Sequence, residues 1–182
     1  LMRTINLKKI AFAGAALIGL GTAAITTVNQ NTEPTTVQAA SSKIKVSQST
    51  AVKKFRARYK SANIDSINLE KERSRYVYEI EGFTSTREYD MKINASTGKV
   101  ISAHSEAERN HNKKALNLSK TISRSTATKI AQKRVRGSKA IEWSLDREGS
   151  RSVWEVTVSK NGKKSEVKIN ALTKKVISVE RD

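Results

Sequence analysis

His104, Glu108 and His111 are the residues of this chain whose spacing suggests metal chemistry. They stand at i, i+4 and i+7 in the stretch HSEAERNH, and the chain has no other histidine. On a helix the three share one face, and two imidazoles with a carboxylate make a workable zinc set. The same stretch also reads as a solvated linker helix opened by Ser105, with Glu108 completing a capping box. Nucleophilic chemistry has less support. Serines are plentiful, but no GxSxG turn, no phosphate-cradling glycine loop and no HExxH occur. Glu79 and Glu155 read as cross-strand partners of basic residues rather than an acid/base pair. No catalytic residue and no cofactor follow from these patterns.

The charge balance points elsewhere. Residues 41–182 carry 32 Lys and Arg against 16 Asp and Glu, a net charge of +16. Such a field draws polyanions and repels further copies of the chain. Its densest part is the predicted outer face of two helices. Lys53, Lys54, Arg56, Arg58 and Lys60 lie on the first, and Lys129, Lys133 and Arg136 on the second, at i, i+4 and i+7. A solvated face is the plain reading, and an anion-binding face is the sharper one. Phe55, Tyr78, Trp143 and Trp154 all fall on predicted buried faces. No exposed aromatics interleave with the cations, which argues against specific nucleic-acid binding.

Several elements must position these residues. Residues 1–40 run from a short basic start through IAFAGAALIGLGTAAITTV to small residues ending VQAA, the layout of a signal peptide with cleavage near Ala39 or Ala40. An uncleaved N-terminal anchor is the alternative, and it is the only membrane contact expected. The chain has no cysteine, so neither a lipid-modified cysteine nor a disulfide is available. An exported protein of that kind suits a bacterial surface, secreted or held at the envelope.

Beyond residue 42 the chain is written twice. Sliding it by 76 positions aligns 47–102 with 123–178 without a gap, with 21 identities in 56 positions. KINASTGKVIS (92–102) returns as KINALTKKVIS (168–178). Two copies are too few for a solenoid, so this is a duplicated small domain, at 43–104 and 119–182, joined by 105–118 with helical spacing. A lone unit of that size would be marginal, so the copies are expected to touch or at least to be held close.

Each copy opens with helical spacing (Ala51, Val52, Phe55, Tyr59; then Ala127, Ile130, Ala131, Val135), with Ser47 or Ser49 and Ser123 or Ser125 as N-caps. The period then changes to two. Ile67 and Leu69, Tyr78 and Ile80, Met91 and Ile93 match Ile141, Trp143 and Leu145, Trp154, Val156 and Val158, Val167 and Ile169. These are strands with one buried face. KNGK (160–163) is a two-residue hairpin turn, which TSTR replaces in the first copy. Asn94 and Asn170 start the next turn, Gly98 suits a left-handed position near its end, and Lys174 occupies the matching site. A short last strand follows.

The helix with small apolar residues, then VYEIE or VWEVTV, then KINAxTxKVIS, resembles the PepSY domain of peptidase propeptides and a sporulation protein. The resemblance covers about 43–104 and 119–181. It implies an α+β fold of two tandem cystatin-like units, each one helix on a small antiparallel sheet of three to four strands. It also implies a non-catalytic module that restrains a secreted peptidase or other cell-surface enzyme. With no HExxH in the chain, that target would be a separate protein. The NG hairpin, Lys160, Asn161, Gly162, Lys163 and Lys164, is the candidate contact. A basic protein docking on anionic wall polymer or lipid is the competing expectation.

Overall fold

Ser47 and Ser123 each convert an extended segment into a helix. The structure, a computed structural model, describes residues 43–109 and 113–181. In it the two serines are the N-caps of α1 (Gln48–Arg58) and α2 (Arg124–Arg134). Each side-chain oxygen accepts the N–H three residues on, at 3.1 Å, from Thr50 and from Thr126. Tyr59 and Val135 close the helices by donating to Phe55 O and Ala131 O. Ala51, Val52 and Phe55 are buried in α1, and Ala127 and Ala131 in α2. Arg136 therefore lies beyond the end of its helix, in the turn that follows.

The alternating segments form β1 (Asn63–Glu72), β2 (Arg75–Phe83), β3 (Arg87–Asn94) and β4 (Val100–Ala107). The second copy repeats them as β5 (Lys139–Glu148), β6 (Arg151–Lys160), β7 (Lys163–Asn170) and β8 (Val176–Arg181). All eight join one antiparallel sheet in the order β4-β3-β2-β1-β5-β6-β7-β8. Two separate small sheets are thus corrected to one continuous sheet, because β1 and β5, the inner edges of the two copies, pair with each other. The register sets Ile67 against Leu145, Asn68 against Ser144 and Leu69 against Trp143. A bare edge carrying Leu69 and Trp143 would be costly for either copy alone.

Directly opposed residues share a face of a sheet. Gly82, beside Phe55 of α1, has the parity of Ile80, and Ile80 opposes Ile67. Ile67 opposes Leu145, which opposes Trp154, and the Trp154 indole donates to Ile122 O just ahead of α2. Both helices therefore cover the same face, and their buried residues form one cluster with those of the strands. The other face is open.

The turns follow local chemistry. Asn94 Oδ1 accepts from Ser96 N and Thr97 N at 2.8 and 3.0 Å, and Asn170 Oδ1 does the same for Leu172 N and Thr173 N. Gly98 has φ of 74° and Lys174 has φ of 66°. Asn161 and Gly162 both have positive φ between the paired Lys160 and Lys163, a two-residue hairpin turn. In the first copy Thr84 N donates to Arg87 O instead.

Three expectations need correction. Ile141 is only half-buried, because a register shift between Ala140 and Glu142 bulges it out and Ala140 takes the core position. Asp65 is its counterpart in β1. The last strand of the first copy is not short: β4 runs to Ala107, paired with Arg87. Residues 105–107 are consequently strand, and 108–109 and 113–117 carry no helix, so the helical join does not form among the described residues. The signal-or-anchor segment, 1–40, lies outside the described residues.

Candidate functional site: a charged cleft and two charged faces

β1 and β5 pair only around their middles. At one end they splay, and the segment joining the copies crosses the gap, with Leu116 N donating to Ile64 O at 2.7 Å. A cleft of about 700 Å³ opens there, lined by Asp65, Ser66, Glu81, Lys113, Lys114, Asp146, Arg147 and Gly149. The Asp65 bulge creates part of it. Lys113 Nζ lies 3.4 Å from Asp65 and 2.6 Å from Glu88. Ser144 Oγ donates to the Asp146 carboxylate. Burial pushes the pKa values of Asp65, Glu81 and Asp146 upward. Burial opposes the charge on Lys113, but its bonds to Glu88 and Asp65 outweigh that, and its pKa is raised. The cleft supplies its own cation to its carboxylates.

Among the described residues no group of three or more His, Asp or Glu is placed to hold a metal. His104 sits on β4 opposite Asp90, and its backbone oxygen accepts from the Tyr59 hydroxyl at 3.1 Å. Glu108 follows the end of the same strand. At about 3.3 Å per residue, extended chain sets these two positions about 13 Å apart, too far to share an ion. The His/Glu/His helix face is thereby corrected, and His111 lies outside the described residues.

The open face carries a row of directly opposed residues through its centre: Ser102, Lys92, Glu79, Asn68, Ser144, Glu155, Lys168 and Ser178. Lys92 lies 2.7 Å from Glu72 and 3.7 Å from Glu79. Lys168 repeats this at 3.0 Å from Glu148 and 3.4 Å from Glu155. These ion pairs explain why both copies keep the two glutamates and the lysine. Burial lifts Glu79 to about 7 against the pull of Lys92, with Asp90 and Glu81 adding to the rise.

The helix side is the electrical opposite. Each helix carries four cations and no acid. Lys53, Lys54, Arg56, Lys129, Lys133 and Arg136 are all exposed, and none has an acidic partner among the described residues. At the NG hairpin Lys160, Asn161, Gly162 and Lys163 are exposed, while Lys164 reaches Glu142 at 3.5 Å. The sequence reading missed the cleft. The Ile64–Ile67–Leu69 spacing, three residues then two, was the signal for the bulge that helps to build it.

A family model for the peptidase propeptide and YPEB domain, PepSY, matches residues 45–104 and again 121–180. The chain belongs to the PepSY family. The matched segments coincide with the two four-stranded halves and their helices. Among solved structures, a candidate lipoprotein (CD1622) from Clostridium difficile 630 is 27% identical. That match covers 76% of this chain and 95% of the other, with a TM-score of 0.69. The YpmB protein of Bacillus subtilis is 21% identical over 74% of this chain and 97% of its own, at a TM-score of 0.36, too low to speak to the fold. No curated protein matches the chain.

Proposed function

We propose that this PepSY protein is an exported, non-catalytic module that binds a secreted peptidase or another cell-surface enzyme in trans and restrains it. The observation that carries the reading is the double PepSY match, over residues 45–104 and again over 121–180. A module of this kind acts on an enzyme by occupying its surface. Export rests on residues 1–40 and on the likeness to a candidate lipoprotein. The NG hairpin is exposed, and a side chain added at Gly162 would meet nothing within 4 Å. Lys160 to Lys164 would enter the partner's groove as an extended ribbon.

The test is titration of the purified protein against the producing organism's exported peptidases, beside a variant whose hairpin is shortened. Stoichiometric, reversible inhibition that leaves the protein uncut supports the reading. Inhibition of none of them rejects it. Inhibition that survives shortening keeps the function and removes the hairpin as its site.

A further inference from the structure

The two charged faces are segregated more sharply than solubility requires. The carboxylates of β1, β2, β5 and β6 lie on the open face or at its bulge, and the ion pairs of Lys92 and Lys168 are made there. The helix face has cations without acids, and both helices lie on it. Three cationic positions recur at the 76-residue offset: Lys53 with Lys129, Arg58 with Arg134, and Lys60 with Arg136. Cations in the last helical turn favour the helix dipole. That accounts for Arg58 and Arg134, but not for Lys53 and Lys129 mid-helix or for Lys60 and Arg136 beyond the end.

We infer that the helix face is a two-part docking platform for a linear phosphodiester polymer. The face offers point charges at matching places on two helices of one sheet face, which suits a flexible chain with a phosphate at each repeat. A bilayer is a poorer fit. Insertion needs exposed apolar anchors among the cations, and the exposed large hydrophobics, Val100, Ile101, Leu172, Val176 and Ile177, are instead on the outer strands and their turn, where Val100 and Val176 oppose Ile93 and Ile169 at the far edges of the helix face. A single-stranded nucleic acid is also a poorer fit. Trp143 and Trp154 are buried beneath α2, and the aromatics nearest the cations, Tyr59 and Tyr89, are half-buried and packed on each other with centroids 4.5 Å apart rather than standing free to stack bases. Docked this way, the protein turns its acidic face and cleft outward, leaving them accessible to another protein.

The probe is poly(glycerol phosphate), with binding of the full chain measured over a series of salt concentrations. One variant carries K53Q, R58Q, K60Q, K129Q, R134Q and R136Q. Variants with either trio alone accompany it. A control, R75Q/K114Q/R151Q, removes as much charge as one trio from the opposite side. Binding should weaken with salt, and the six-fold variant should lose at least about tenfold in affinity with a flatter salt slope. Each trio alone should fall between, and the control should change affinity by less than about twofold. A control that loses as much as a trio would reduce the effect to net charge and overturn the proposal. So would tighter binding to phosphatidylglycerol vesicles or to duplex DNA than to the polymer. Circular dichroism of each variant establishes that the fold is kept.

Discussion

Asn68 lies directly opposite Ser144 across the seam of the sheet, and the same two positions coincide when the sequence is slid by 76 residues. A pseudo-two-fold axis therefore passes through this pair, perpendicular to the sheet. Such an axis carries α1 to the position of α2 on the same face. The merged sheet, the shared core and the one-sided cationic surface are all consequences of that one register.

Sharing a core should make the repeats unfold together. Leu145 is fully buried at the seam. Leu145→Ala is expected to cost about 3 kcal/mol. Both tryptophans belong to the second copy and the four tyrosines to the first. Their fluorescence signals should shift to one common, lower midpoint in urea. Two separated midpoints would mean that the repeats are independent domains.

Left-handed backbone gives a second prediction. Lys174 has φ of 66° where the first copy has Gly98, and Arg73 has φ of 56° where the second copy has Gly149. The copies have exchanged glycine for a basic residue in opposite directions at two turns. Lys174→Gly and Arg73→Gly are each expected to stabilise the protein by up to about 1 kcal/mol. Gly98→Lys should destabilise it by a similar amount. Chemical denaturation decides this, and a harmless Gly98→Lys would refute the turn assignment.

The open face gives a pH dependence. Glu79 is lifted from its ordinary 4.5 to about 7, first by burial. The folded state therefore holds this proton more tightly than the unfolded chain. The stability contributed is fully present below about pH 4.5 and is lost as pH rises to about 7. Glu79→Gln is neutral at every pH. It should raise the thermal midpoint at pH 8 and change it far less at pH 4.5. Equal shifts at the two pH values would show that Glu79 does not titrate in this range.

What the sequence carried was local. A serine before an apolar helical stripe, NG between strands and Asn at a turn start act over a few residues, and each took the form its chemistry dictates. Long-range pairing was not legible in the same way. Nothing in Leu69 or Trp143 alone says that β1 will pair with β5 rather than stay an edge. The HSEAERNH stretch has helical spacing, yet pairing with β3 holds its first four residues extended. The bulge at Ile141 moved that residue off its expected face, and the matching bulge at Asp65 helped to build the cleft. The cations needed no such information, since charged residues on the free face of a helix are exposed wherever the helix docks.

The duplication also contains a paired exchange of volume under each helix. Gly82 faces Phe55 in the first copy, and a β-carbon built there would lie 2.7 Å from Phe55 Cζ and 2.5 Å from Asn63 O. At the equivalent places the second copy has Val158 and Ala131, both buried. One copy spends the space on the helix residue, the other on the strand residue. Gly82→Val should overpack the site and cost about 3 kcal/mol or more, because part of the clash is with backbone. Phe55→Ala should leave a cavity and cost about 3–5 kcal/mol. Phe55→Ala with Gly82→Val recreates the second copy's arrangement, whose strands accept Val158 opposite Ala140 in the same register that holds Gly82 opposite Ile64. The double variant should therefore be more stable than the sum of the single losses allows, by about 2 kcal/mol. Denaturant midpoints of the four proteins measure that coupling, and additive losses would mean that the two positions do not fill the same space.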